Sequence, residues 1–276
     1  MVYDPSALLW ISTLLLVSTL FVFSLLIRRR WLPTWLVENP VAYVLALGIA
    51  IGVWALFGSV GIAYERGYSY LSYFFGISIV FFLAPIFLIP LQRLKQTHQL
   101  ETLTDVLVYR YRSLIAGIFI TFLMIIMTLP LLALQIEALD QLLNLLLPHA
   151  NTSPLIFTFL IAVGLFIMYF GIRSPERRYG HPSLIGGMAL LSLVKYSALL
   201  LLVGVSFHRV FGDFAALQSW LDQNPLALER LYSSTRQAPW HNLNLAFCTS
   251  VVALPHLFHV VLSNKHENIK TFFIAT

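Results

Sequence analysis

Charge is what this sequence has least of. Only 11% of its 276 residues are Asp, Glu, Lys or Arg, where a soluble domain carries about a quarter. A chain so poor in charge cannot cover its own surface in water. Cysteine is almost missing too: Cys248 stands alone, which excludes a disulfide within the chain and leaves the compartment open. The start, "MVYDPSALLW", lacks a positive leader region and a small-residue cleavage site, so the first apolar run is expected to be retained. There is no Gly-rich phosphate loop, nucleophile elbow or phosphorylatable His box, and no enzyme is expected within these residues. The formal net charge of +5 is spread over several short loops, which argues against a nucleic-acid partner.

What is abundant is apolar surface. Hydrophobic residues make up 59% of the chain and the mean hydropathy is +0.82. Seven apolar runs, at roughly 7–27, 41–63, 69–92, 113–137, 154–172, 183–206 and 243–262, are each long enough to cross a bilayer. Lipid leaves backbone groups no partner outside the segment, so each run is expected to be a helix. Placing the N-terminus outside puts twelve Lys and Arg in the inner connections and four in the outer ones, with Lys195 alone inside a span. The positive-inside rule thus predicts a single all-α integral membrane domain over 1–276, with about seven transmembrane helices, N-out and C-in. The lipid bilayer is its first expected partner. Two connections carry more: a short inner helix capped by Thr102 or Thr104 is expected in "RLKQTHQLETLTDVLVYRYR". An interfacial helix with Trp220 at the headgroups is expected between about 207 and 242.

Against that apolar background the second run is rich in glycine. Gly48 and Gly52 precede "WALFGSVGIAYERGYSYLSYFFG", which adds Gly58, Gly61, Gly67 and Gly76. Each costs a helix about 1 kcal/mol relative to alanine. Small residues four apart let membrane helices approach closely. Glycines flanking Ser59 equally suit a helix that unwinds beside a cavity. Composition leaves both readings open.

The same stretch resembles the first core helix of the sodium:solute symporter family, in Trp54, Gly58, Gly61, Gly67 and Ser69. "TLTDVLVYRY" is similar to a second family element, in Thr102, Leu103, Asp105, Arg110 and Tyr111. "LPHLFHVVLSNKHEN" resembles the branch fused to bacterial sensor histidine kinases, in Pro255, Phe258 and His259, with Ser263-Asn264 where that branch has Glu-Asn. The resemblance implies a leucine-transporter-type fold in a bacterial inner membrane. Residues 7–27 would be the leading helix, 41–206 the first five-helix repeat, and 243–262 the start of the second, inverted repeat. By that reading the chain is the N-terminal part of a symporter-like core, with further symporter helices and a kinase domain as expected partners. The implied function is transport of a small organic solute such as an amino acid, coupled to H+ or Na+. The alternative is a sensory input domain of a histidine kinase.

In that fold, paired breaks in spans 2 and 7 frame solute and ion. The positions it implies are Gly48, Ala50, Gly52, Trp54, Phe57, Gly58 and Ser59 at the first break, and Pro255, His256, Phe258 and His259 at the second. Two departures weigh against sodium. The acidic position of the proline symporter falls near Ala50, between Ile49 and Ile51, and the Trp-Thr-Asp-x-x-Gln element is replaced by "RRYGHPSLIGGMALLS". Lys195 offers a substitute. A charge in mid-membrane costs about 2.5–3.5 kcal/mol or more, so it must face protein or water, or be neutral. Its ammonium is expected to stand where a sodium ion would be coordinated, on carbonyls freed in span 2, as in proton-coupled relatives of the fold. A structural lysine on carbonyls is the plainer alternative. His256 and His259 lack the spacing and the carboxylate of a metal site, so neither metal nor cofactor is expected. A retinal protein would want its lysine in the seventh span rather than the sixth.

Overall fold

A computed structural model of the chain describes residues 5–33, 35–100, 102–148, 150–172, 182–229 and 240–262. Every regular element among them is helical. Four helices are long and apolar enough to cross a membrane: α1 (Pro5–Arg28), α7 (Leu114–Leu146), α8 (Ser153–Ile167, prolonged by a wider turn at Met168–Ile172) and α9 (Pro182–Val210). A bent pair, α11 (Trp240–Ala253) and α12 (Pro255–Leu262), makes a fifth if taken as one span.

Spans 2 and 3 of the sequence reading fall short of that test because each is interrupted. Span 2 divides into α2 (Pro40–Leu47), a 3-10 turn at Gly48–Ala50 and α3 (Val53–Arg66). Asn39 starts α2 by accepting from the Ala42 N–H at 2.6 Å, with Pro40 set in the first turn, where its missing donor costs nothing. Span 3 divides into α4 (Leu71–Phe82) and α5 (Leu88–His98). Pro85 and Pro90 withhold two donors there, and the Ile89 N–H reaches back five residues to the Ala84 carbonyl at 2.9 Å.

The connections follow local chemistry. α6 (Leu103–Tyr111) opens on a reciprocal capping box between Thr102 and Asp105, which satisfies two otherwise orphaned N–H groups. Thr102 is therefore the cap, not Thr104. α10 (Phe214–Gln223) is capped by Asp213 and has no buried residue; Trp220 meets Phe211 edge-on at 5.9 Å.

α7 runs past the expected end at 137 to Leu146. Its 33 residues span about 50 Å at 1.5 Å each, well over the hydrocarbon thickness of about 30 Å. The added turns carry a polar, self-paired face among leucines: Gln141 donates to Glu137 at 2.9 Å and Asn144 to Asp140 at 3.0 Å. Thr152 closes the hairpin to α8 by donating to Asp140 at 3.2 Å.

Three close helix contacts define the interior. α1 lies on α9 at Gly186 and Gly187, where side chains would run into Ile27 and Ser24. α2 also packs on α9, and α4 packs along α11. At that last contact a β-carbon on Gly76 would stand 2.6 Å from Phe247 Cβ and 2.8 Å from the Asn244 carbonyl oxygen. No side chain fits at Gly76. Phe81, Ala84, Leu88, Val251 and Val261 form the apolar cluster beneath it. Outward faces of α1, α7 and α9 expose leucine, isoleucine and phenylalanine along their length, as lipid contact requires.

Candidate functional site

The break in span 2 follows from its residues. Gly48–Ala50 tighten into one 3-10 turn, Ile51 leaves helical geometry (φ −89°, ψ 87°), and Gly52 is extended (ψ −169°) before α3 begins. Unwinding leaves the Ile51 carbonyl outside any helix, while the Gly48 carbonyl keeps one 3-10 bond from the Ile51 N–H at 3.1 Å and has a second lone pair to offer. Lys195, from the middle of α9, crosses to them. Its Nζ donates to the Gly48 carbonyl at 2.7 Å and to the Ile51 carbonyl. Hydrogen bonds to a charged group are worth about 1.5–3 kcal/mol each, enough to offset the cost of an ammonium at this depth.

Tyr196 and Ser192 press on the same turn. A β-carbon on Gly48 would lie 2.8 Å from the Tyr196 ring and hydroxyl and 2.9 Å from Ser192 Oγ. Gly52 abuts the amide of Gln135 on α7, whose Oε1 would be 2.6 Å from an added β-carbon. Lysine, tyrosine and glutamine from two long helices thus converge on a five-residue break. Neither Gln135 nor Tyr196 is singled out by the sequence reading. An amide near the end of an apolar run and a tyrosine adjacent to the one intramembrane cation are the signals that point to them.

One cavity borders the break and a second lies farther along α3. The first, of about 240 Å³, is lined by Gly48, Ile51, Tyr196, Tyr73, Phe74 and Ser78 among others. The second, of about 80 Å³, lies between α3, α4 and α11 and is lined by Ser59, Arg66 and Ser69 with an apolar wall. Tyr73 and Phe74 line both cavities. Their rings meet edge to face at 5.3 Å, and Tyr73 meets Phe247 likewise at 5.0 Å.

The second break lies between Ala253 and Pro255, where the helix axis turns by 69°. α12 then packs on α2 and α5, and the Tyr43 hydroxyl donates to the Val261 carbonyl at 3.1 Å. The two broken helices are therefore in contact. Among the sequence-predicted positions, Gly48 and Lys195 meet directly, Gly52 adjoins them, and Ser59 lines the smaller cavity. Gly58 lies within α3. Pro255, His256, Phe258 and His259 line neither cavity. His256 is exposed, and Phe258 is buried against Val106 of α6. The side chains of Ala50, Trp54 and Phe57 lie outside the described set, as do Ser263 and Asn264.

No family model, curated protein or solved structure matches this chain.

Proposed function

We propose that this chain is a transporter-like membrane domain for a small organic solute, with seven spans, an outer N-terminus and an inner C-terminus. The observation that carries the reading is the Lys195 ammonium seated on the Gly48 and Ile51 carbonyls of an unwound helix. Unwound backbone inside a membrane is tolerated where protein or a cavity satisfies it, and transporters use such breaks to hold ions and solutes. Here a side-chain cation takes the coordinating carbonyls, so coupling runs through protonation of Lys195 rather than through sodium. Contact between the two broken helices and the resemblance to sodium:solute symporters support the same architecture. A bacterial inner membrane is the location that goes with it.

Counterflow in proteoliposomes loaded with a panel of radiolabelled amino acids and small organic acids tests the reading. Uptake driven by an inward proton gradient, indifferent to sodium and lost in Lys195→Met, is the expected result. Uptake that survives Lys195→Met with an unchanged pH profile would contradict it. Saturable binding without uptake would move the site from transport to sensing.

A further inference from the structure

The smaller cavity holds chemistry that the transporter reading leaves unused. Ser69, in the 3-10 turn between α3 and α4, is 1% exposed, and its Oγ has no hydrogen-bond partner. A buried hydroxyl without a partner costs about 1–3 kcal/mol, so the unpaired state calls for an explanation. Arg66, the last residue of α3, lines the same cavity and makes no hydrogen bond or ion pair among the described residues. The remaining wall is largely apolar and includes Phe74 and Phe247. No Asp or Glu lines the cavity; Glu65 adjoins Arg66 in sequence without contributing to it.

We propose that this cavity binds a small monocarboxylate with a short apolar tail. A guanidinium presents a fork that matches a carboxylate bidentately, and the Ser69 hydroxyl supplies the third donor. The tail lies against Phe74 and Phe247. Size limits the tail: the cavity is about 80 Å³ and only partly closed, with exposed Arg66 in its wall, so the carboxylate sits at the rim and only the alkyl tail is housed. A solute of four carbons fits, whereas a sugar or nucleotide does not. An α-amino acid is disfavoured because its ammonium would meet an apolar wall and the Arg66 cation. The site is separate from the Lys195 break and does not depend on the transport reading.

Titration calorimetry on the purified full chain in zwitterionic nanodiscs at pH 7 tests this, with sodium butyrate as probe. Butyrate should bind saturably, and isosteric butyramide and 2-aminobutyrate at least tenfold more weakly. Arg66→Gln should weaken butyrate at least tenfold. Ser69→Ala should weaken it by roughly tenfold while leaving the melting temperature of the unliganded protein unchanged or higher, because the orphaned hydroxyl is gone. Absence of saturable butyrate binding, equal binding of butyramide, or an unaltered affinity in both variants would overturn the proposal. Decanoate binding more tightly than butyrate would overturn it as well, by assigning the cavity to a membrane amphiphile.

Discussion

The two broken helices touch, yet their breaks are made by different residues and leave different debts. In span 2 the glycines let the chain unwind: a 3-10 turn is followed by an extended Gly52, and the Gly48 and Ile51 carbonyls turn to Lys195. In span 7 Pro255 removes a donor and the axis turns by 69°, yet backbone bonds reach the turn from both sides. Leu254 N–H still reaches the Ser250 carbonyl at 2.9 Å, and Phe258 N–H reaches Leu254 at 3.0 Å. A glycine break exposes acceptors and calls for a cation. A proline break redirects a helix while the N–H groups on either side, Leu254 and Phe258, keep carbonyl partners. The two ends of the pair therefore contribute differently: the first can hold charge, while the second sets geometry.

Substitutions can break or sharpen that contrast. Lys195→Met should have the largest effect, because it sets an apolar side chain against the Ile51 carbonyl and leaves the Gly48 carbonyl with only its bond from the Ile51 N–H. A loss of about 2–3 kcal/mol is expected, read as a lower melting temperature in detergent by intrinsic fluorescence. Gly48→Ala should follow at about 1–3 kcal/mol, the usual cost of overpacking, because the new methyl would meet both the Tyr196 ring and Ser192. Thermal melts of this variant with and without Tyr196→Leu would show the loss relieved when the ring is shortened. Tyr43→Phe removes the hydroxyl that ties α2 to the Val261 carbonyl, and a loss of about 1 kcal/mol is expected from the same melts. Gly52→Ala should cost least, under about 1 kcal/mol, in a denaturant titration. Its φ of −84° suits any residue, and the new methyl meets only the movable end of Gln135.

Hydropathy located the long helices well because lipid-facing spans are apolar throughout: α1, α8 and α9 begin and end within a few residues of the expected positions. It failed where hydrogen bonding rather than hydropathy decides. α7 continues beyond 137 with Leu on one side and Glu137, Asp140, Gln141 and Asn144 paired four residues apart along the helix, polar positions that lower the hydropathy average without ending the helix. Spans 2 and 3 are apolar end to end, so no average over them reveals that Gly48–Gly52 and Pro85–Phe87 interrupt the helix. The lysine was legible because a lone charge in a span demands a partner. Gln135 and Tyr196 were not, since an amide or a phenol in a membrane helix has several ordinary uses. Phe258 matched a motif, but it packs against Val106 of α6, a placement that depends on a long-range contact.

The central claim is that a cation at residue 195 satisfies the carbonyls of the first break. Chemical restoration tests it most directly, by melting Lys195→Cys in a Cys248→Ala background before and after alkylation. Aminoethylation rebuilds a lysine-length ammonium and should restore most of the lost melting temperature, whereas carbamidomethylation, which adds a neutral amide, should not. Equal recovery with both reagents, or none with either, would contradict the assignment.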